Sequence, residues 1–371
     1  MKIAVIGGGP AGLRAAEIAV EQGASVTVFD AKPSVGRKFL VAGRGGLNLT
    51  KDEPLERFVA QYSGHELPTG VWQSLLAEFD QEALRAWAYG LGVETFVATS
   101  KRVYPKEMKA APLLRRWIQR LRDRGVEFAM RHRWQGMART GASWRFSFAV
   151  DGETRTVEAD AAVLALGGGS WPETGSDGGW VAALREMEIA VSDLRPANCG
   201  WEAAWPENFL RVAEGQPLKN IRARAGEQEA AGELMVTRYG LEGGIIYQLG
   251  AVLRELVDPV ISLDLKPSHS VNQLVAKLGP VKRNFVAEAR QRWRLSDAAA
   301  AILDFCQSVR PAASALEIAE ACKGCSISLK GPRPLAEAIS SAGGVRWGDL
   351  DENLMLKRAP GIFVAGEMID W

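Results

Sequence analysis

The chain has 371 residues, 47% of them apolar and 24% charged, which is enough for two domains and a large buried core. Its formal net charge of +1 excludes a polybasic nucleic-acid binder or an acidic tail as a description of the whole molecule, although residues 101–145 hold thirteen Lys or Arg against Glu107, Asp123 and Glu127. Cys199, Cys306, Cys322 and Cys325 are too few for a disulfide framework, and no apolar run reaches the roughly 18 residues of a membrane span, so a cytoplasmic protein is the expectation.

Lys2–Ile6 is a short apolar run rich in β-branched residues, as a fully buried parallel strand requires. Gly7, Gly8, Gly9 and Pro10 interrupt it too early for a signal peptide. Ala11–Gln22 reads as a helix with Gly23 as its C-terminal cap, and Ser25–Phe29 as a second strand ending at Asp30. Together they form a βαβ unit. Helical patterns follow over Val71–Leu91 and Pro112–Arg124. Val126–Met130, Arg133–Ala138, Trp144–Val150 and Thr154–Glu158 read as strands of an antiparallel hairpin laid across the crossover. Ala161–Leu166 is another buried strand, ending in Gly167-Gly168-Gly169. From about Arg195 to Pro332 short strands alternate with turns and helices, and then Gly361–Glu367 restores a buried strand followed by a glycine and an acid. The pattern predicts a doubly wound Rossmann-type α/β domain over 1–194 and 332–371, with a mixed α+β substrate or cap domain inserted over 195–331.

Gly7-x-Gly9-x-x-Gly12 follows a strand and opens a helix, with Asp30 eighteen residues beyond its last glycine. Gly7 permits a tight turn, Gly9 lets the backbone approach a pyrophosphate, and Gly12 lets helix and strand pack closely. The helix N-terminus offers unpaired N–H groups to phosphate. Asp30 accepts from a ribose diol, and its charge argues against a 2′-phosphate. This pattern serves FAD and NAD alike. FAD is favoured by the position of the motif at the very N-terminus, by Ala165-Leu166-Gly167-Gly168, and by the late Gly366-Glu367 strand. No second glycine fingerprint with strand and acid occurs, so one dinucleotide site is expected.

The run Gly36-Arg37-Lys38-Phe39-Leu40-Val41-Ala42-Gly43-Arg44-Gly45-Gly46-Leu47-Asn48-Leu49-Thr50 resembles the second signature of the BaiN/RdsA-like (YhiN-like) NAD(P)/FAD-dependent oxidoreductases, a family of bacterial flavoproteins. The resemblance extends through Gly167–Pro172, Gly175, Gly178, Gly232–Leu234, Thr237–Gly240, Ala342–Val345 and Gly366–Trp371. It implies reduction of a conjugated carbon–carbon double bond in a small molecule, with NAD(P)H as transient electron donor. It also implies that Pro10, Ala11 and Asp30 hold the ADP half, that Arg37 and Lys38 stand near the phosphates or ribose, and that the backbone of Trp134 meets adenine. Gly43, Asn48, Gly167, Gly168, Gly366 and Glu367 complete the expected flavin contacts, and Asp370 aligns with an acid near the ribityl chain. Two features depart from the family. Its usual Gly-Gly-Gly-Arg-Cys-Asn stands here as Gly43-Arg44-Gly45-Gly46-Leu47-Asn48, with no Cys beside the flavin. The chain ends at Trp371, where the family continues into a closing helix, which implies a truncated chain or weakened flavin binding.

Tyr239 and Arg238 are the candidate catalytic pair, Tyr as general acid and Arg as an anchor for carboxylate or carbonyl. Trp171, in a glycine loop after a strand, suits ring stacking. Cys322-x-x-Cys325 has no second Cys pair or nearby His, so packing outweighs redox or metal chemistry there, and no metal is expected. The apolar residues of Leu113–Leu121 fit one helical face with Arg on the other, a solvated face or a contact for a phosphate-bearing or RNA substrate. Flavin-dependent reduction of uridine in structured RNA and a flavin-binding redox sensor without turnover are the alternative readings. No membrane partner and no obligate protein partner is expected.

Overall fold

A computed structural model describes residues 1–41, 46–64, 66–309 and 311–371. The chain divides into two compact units, Met1–Arg195 with Ser340–Trp371, and Pro196–Ile339. Among the described residues, no helix is long and apolar enough to cross a membrane.

The first unit is built on a five-stranded parallel sheet. Strand β1 (Lys2–Ile6) lies at its centre, between β2 (Ser25–Asp30) and Ala161–Leu164; Ile362–Val364 and Glu127–Met130 form the edges. Val5 pairs with Val28 on one side and Val163 on the other, and Val163 in turn with Phe363. The two-residue period sorts the core. Ala4 and Ile6 pack with Phe29, Phe146, Phe148 and Trp180 on one face, while Val5 packs with Leu13, Val28, Leu113 and Trp117 on the other. Helix α1 (Pro10–Glu21) follows β1, with Pro10 in the first turn, where a missing N–H costs nothing. It ends at Gln22, and Gly23 turns the chain at φ +82°. The late strand therefore returns to the same sheet, as its sequence predicts.

Three local expectations are corrected. Val71–Leu91 is two helices, Val71–Glu78 and Gln81–Gly90, because Asp80 caps the second by accepting from the Ala83 N–H at 2.8 Å. The strand read over Val126–Met130 is not part of the antiparallel sheet. It spans Glu127–Met130 and pairs in parallel with β2, since the helix Ala110–Asp123 before it supplies a crossover. The antiparallel sheet is Arg133–Thr140, Ser143–Val150 and Glu153–Ala159. Predicted strand Ala161–Leu166 stops at Leu164, before the glycine turn.

The second unit is a closed six-stranded antiparallel barrel. Its order is Trp201–Ala203, Gly240–Glu242, Gln228–Thr237, Pro217–Ala225, Val260–Asp264 and Cys325–Pro332. Closure comes from Trp201–Ala203, which bonds to Gly240–Glu242 on one side and Cys325–Pro332 on the other, leaving no open edge. Along Pro217–Ala225, Leu218, Ile221, Ala223 and Ala225 are buried, while Arg222 and Arg224 face solvent. Helices Gly244–Glu255, Val271–Leu278, Asp297–Val309 and Ala315–Lys323 contribute Leu249, Leu274, Ile302 and Ile318 to the barrel's core.

Candidate functional site

The C-terminal ends of β1, β2 and Ala161–Leu164 open onto a cavity of about 380 Å³ within the first unit, where open α/β sheets hold ligands. Its wall includes Gly7, Gly8, Gly9, Pro10, Ala11, Asp30, Arg37, Lys38, Trp134, Gly167, Gly366 and Glu367.

The glycines differ in role. Gly7 sits at φ +112°, and a Cβ there would lie 2.1 Å from the Ala165 carbonyl oxygen. A Cβ at Gly12 would lie 1.9 Å from the Gly7 carbonyl oxygen, so Gly12 packs behind the turn rather than on the cavity wall. Nothing stands within 4 Å of a Cβ at Gly9. Only an approaching ligand would require glycine there. Gly9 is also the N-cap of α1 and provides no side-chain cap, so the helix keeps its orphan N–H groups at this end.

Asp30 accepts from the Gly8 N–H at 2.9 Å and the Lys32 N–H at 2.8 Å. Burial still holds its carboxyl above the usual range, against the pull of these two bonds. Glu367 ties three segments together. It accepts from Lys38 Nζ at 2.8 Å, the Ser341 N–H at 2.8 Å and the Gly168 N–H at 3.3 Å, and Lys38 also donates to Ser170 Oγ at 2.7 Å. Of the two cations predicted near phosphate, Lys38 is therefore bound to Glu367. Arg37 is the one with a buried Nε lacking a partner.

Arg37 Nε is joined by Trp134 Nε1 and Ser176 Oγ as buried, unpartnered polar atoms, and all three residues line this cavity. Buried donors without partners cost about 1–3 kcal/mol each, so three around one cavity fit a ligand rich in acceptors. With the open space at Gly9 and the half-buried acid at Asp30, the residues fit an ADP-bearing cofactor.

Sequence reasoning missed Ser176, His132 and Phe29. Phe29 stacks on Phe148 at 4.6 Å, and His132 Nδ1 lies 2.8 Å from the Met130 carbonyl. The interval Gly175–Gly178 was the signal for Ser176, while His132 and Phe29 carry no motif.

Other predicted positions lie elsewhere. Asn48 lines a smaller apolar cavity of about 230 Å³, which shares Pro10 and Phe39 with the first. Gly168 is bound to Glu367 and does not line the larger cavity, and Trp171 stands off it at φ +60°. Asp370 is buried, and its carbonyl accepts from Trp347 Nε1 at 2.7 Å. Gly43 lies outside the described residues. Tyr239 and Arg238 belong to the second unit. Arg238 is exposed and pairs with Glu207 at 3.1 Å and Glu214 at 3.5 Å. The Tyr239 hydroxyl bonds to Glu242 and Thr237, and Arg333 lies 4.6 Å over its ring. Burial, then Glu242, pushes that phenol well above its ordinary value.

The basic stretch is largely tied to the protein's own acids. Arg120 and Arg124 reach the fully buried Glu17, and Arg116, Arg133 and Arg145 pair with Glu107, Asp177 and Glu158. Among the described residues, no cluster of His, Cys, Asp or Glu is arranged to hold a metal.

A 3-dehydro-bile acid delta(4,6)-reductase from Clostridium scindens is 25% identical over 397 residues, covering 100% of this chain and 93% of that protein. A ribosomal RNA dihydrouridine synthase from Haemophilus influenzae is 23% identical over 281 residues, 72% of this chain and 65% of that protein. The solved 3-ketosteroid-delta4-(5alpha)-dehydrogenase of Rhodococcus jostii, in complex with 4-androstene-3,17-dione, superposes with a TM-score of 0.47 at 14% identity, over 99% of this chain and 90% of that one. The family model of the HI0933-like protein Rossmann domain matches residues 1–371. The chain belongs to the HI0933-like Rossmann family, whose members are FAD-dependent oxidoreductases.

Proposed function

We propose that this protein is an FAD-dependent reductase that uses NAD(P)H to saturate a conjugated C=C in a small molecule. The observation that carries the reading is the cavity at the sheet's C-terminal edge, lined by Asp30, the ligand-ready Gly9 turn and three residues with unpartnered buried polar atoms. When bound, FAD supplies the hydride chemistry, accepting from a nicotinamide and donating to an electron-poor carbon.

The chain's own residues do the rest. The first turn of α1 holds the pyrophosphate through backbone N–H groups, and Arg37 adds a cation beside it. Asp30 accepts from the ribose hydroxyls. Trp134 and Ser176 would donate to acceptors of the bound cofactor, and Phe29 adds an apolar side chain to the same lining. The Glu367–Lys38–Ser170 junction fixes the glycine turn after Ala161–Leu164 against the late strand. In the second unit, Tyr239 is the proposed proton donor, and burial with Glu242 makes its hydroxyl a weak acid that would give its proton only to a carbon already carrying developing negative charge. Arg238, already paired with two carboxylates, anchors a substrate carbonyl only by leaving them.

Anaerobic mixing of the flavin-loaded protein with NADH or NADPH should bleach absorbance near about 450 nm, a property of the flavin itself. A conjugated enone should then restore it. No bleaching with either nucleotide removes the nicotinamide half of the proposal; bleaching without reoxidation by any enone removes the substrate half. The Haemophilus relative supports a second reading, reduction of uridine in structured RNA. Under it, RNA from a deletion strain lacks a uridine heavier by two hydrogens.

A further inference from the structure

The smaller cavity of the first unit, about 230 Å³, has no part in the chemistry proposed above. It lies between α1, the helix Gln81–Gly90 and the helix Ala110–Asp123. Of its lining residues, Pro10 and Phe39 also line the larger cavity. Packed interiors leave few voids larger than a water molecule, so a space of this size between helices suits an occupant.

Its walls are held in place from behind. Trp87 and Trp117 meet edge-on at 4.7 Å, and their indole N–H groups donate to the fully buried Glu17 at 2.9 and 3.1 Å. Arg14 donates to the same carboxylate at 2.9 Å and lies 4.5 Å over the Phe79 ring. One buried acid thus engages the polar atoms of three wall residues and leaves their apolar surfaces to the cavity. Leu49 and Leu84 extend that apolar lining. Arg14, the one charged residue of the wall, is already paired, so an ionised ligand finds no counter-charge. Among the described residues, Asn48 supplies the wall's one side-chain amide, and no protein group bonds to it. An apolar cavity of about 150 Å³ takes up benzene, so about 230 Å³ suits one or two fused rings.

We propose that this cavity is a second ligand site of the first unit, taking a neutral, planar molecule of one or two fused rings with a single hydroxyl or carbonyl. The ring lies against Trp87, Trp117 and Phe79, where aromatic side chains supply large apolar contact. Its polar edge turns to the Asn48 amide, which donates to a carbonyl or accepts from a hydroxyl. Sharing only Pro10 and Phe39 with the larger cavity, the ligand sits beside the cofactor without displacing it. The site rests on the packing around Glu17 and is independent of the flavin reading.

The test titrates the full chain with 2-naphthol, naphthalene and 2-naphthalenesulfonate by isothermal calorimetry, once freed of flavin and once saturated with FAD. The expected result is saturable binding of 2-naphthol, one per chain, in both samples. It should be about threefold to tenfold tighter than naphthalene, the margin of one hydrogen bond, and the sulfonate should not bind. Asn48→Leu should keep naphthalene binding and erase the preference for 2-naphthol. Leu84→Trp, which fills the space from a half-buried helix position, should abolish binding of both. Absence of saturable 2-naphthol binding, equal binding of the sulfonate, or an unchanged preference in Asn48→Leu each overturns the proposal. So does loss of binding on FAD saturation, which would make the cavity part of the flavin's own seat. The flavin-free titration stands even if the chain takes up no FAD, so failure of that reading is told apart from failure of this one. Naphthalene serves as the folding control for Asn48→Leu, so a poorly folding Leu84→Trp does not decide the outcome.

Discussion

Glu17 is the perturbation with the largest expected effect on the fold. It lies on α1 two turns past Gly9, is 0% exposed, and accepts from Trp87 Nε1 at 2.9 Å, Trp117 Nε1 at 3.1 Å, Arg14 at 2.9 Å and Arg120 at 3.1 Å. Burial raises its pKa, but the Trp87, Arg14 and Arg120 donors outweigh that and leave it lowered. Glu17→Ala strands two indole N–H groups in the core, at about 1–3 kcal/mol each. Arg14 and Arg124 are a third or more exposed and turn to water at little cost. Arg120, less exposed, adds part of a broken buried pair, for a total of about 3–5 kcal/mol. Urea unfolding followed by Trp fluorescence reads this directly, since Trp87 and Trp117 meet edge-on at 4.7 Å beside the carboxylate. The sign with pH is fixed. A lowered carboxyl contributes fully above its unfolded value of 4.5 and loses that contribution as pH falls through the lower folded value. The gap between wild type and variant should therefore be constant from neutral pH down to about 5 and shrink only in stronger acid. A loss under about 1 kcal/mol, or a gap that widens on acidification, would refute the reasoning.

Gly9→Ala and Gly7→Ala separate ligand binding from folding. At Gly9 a Cβ meets nothing, so stability should hold within about 1 kcal/mol while FAD binding weakens at least tenfold, read by flavin titration and thermal unfolding. Gly7→Ala, with a Cβ 2.1 Å from the Ala165 oxygen, should lower the melting temperature as well; equal behaviour of the two variants would sink the assignment. Trp134→Phe keeps a ring and removes one buried donor, so FAD affinity should drop by about 1 kcal/mol with no loss of apo stability. A loss of apo stability instead would mean that the indole serves packing alone. Tyr239→Phe should leave nicotinamide-driven bleaching untouched and slow flavin reoxidation by an enone about 100-fold or more, and an unchanged reoxidation rate would clear Tyr239 of the proton role.

The nucleotide-binding end was legible because it is local. β1, the glycine turn, α1 and Asp30 fall within thirty residues, and each glycine answers to a short-range steric demand. The barrel was not legible as a barrel. Its closing strand is three residues long, and its partners Gly240–Glu242 and Cys325–Pro332 lie about 40 and 125 positions away, so neither periodicity nor turn chemistry announces them. The basic stretch was misleading for a related reason. Counted along the chain it is strongly cationic, but Glu17, a hundred positions earlier, draws Arg120 and Arg124 inward.

Lys38 shows why the same limit matters at the site itself. By sequence, Arg37 and Lys38 are adjacent cations with equal claims on a pyrophosphate. In the fold, Lys38 reaches Glu367 and Ser170, joining residues more than a hundred positions apart, while Arg37 keeps a buried, unpartnered Nε on the cavity wall. The two charges thus do different work. Lys38 neutralises the acid that fastens the late strand to the glycine turn, and Arg37 is the cation proposed to meet the ligand. The Lys38–Glu367 pair is partly buried, so Lys38→Met leaves a carboxylate without its cation and should cost stability, which Glu367→Gln in the same chain restores in part. Arg37→Met should instead leave apo stability unchanged and weaken FAD. If both lysine and arginine variants lose flavin affinity alone, the junction is a ligand contact and the division of roles is wrong.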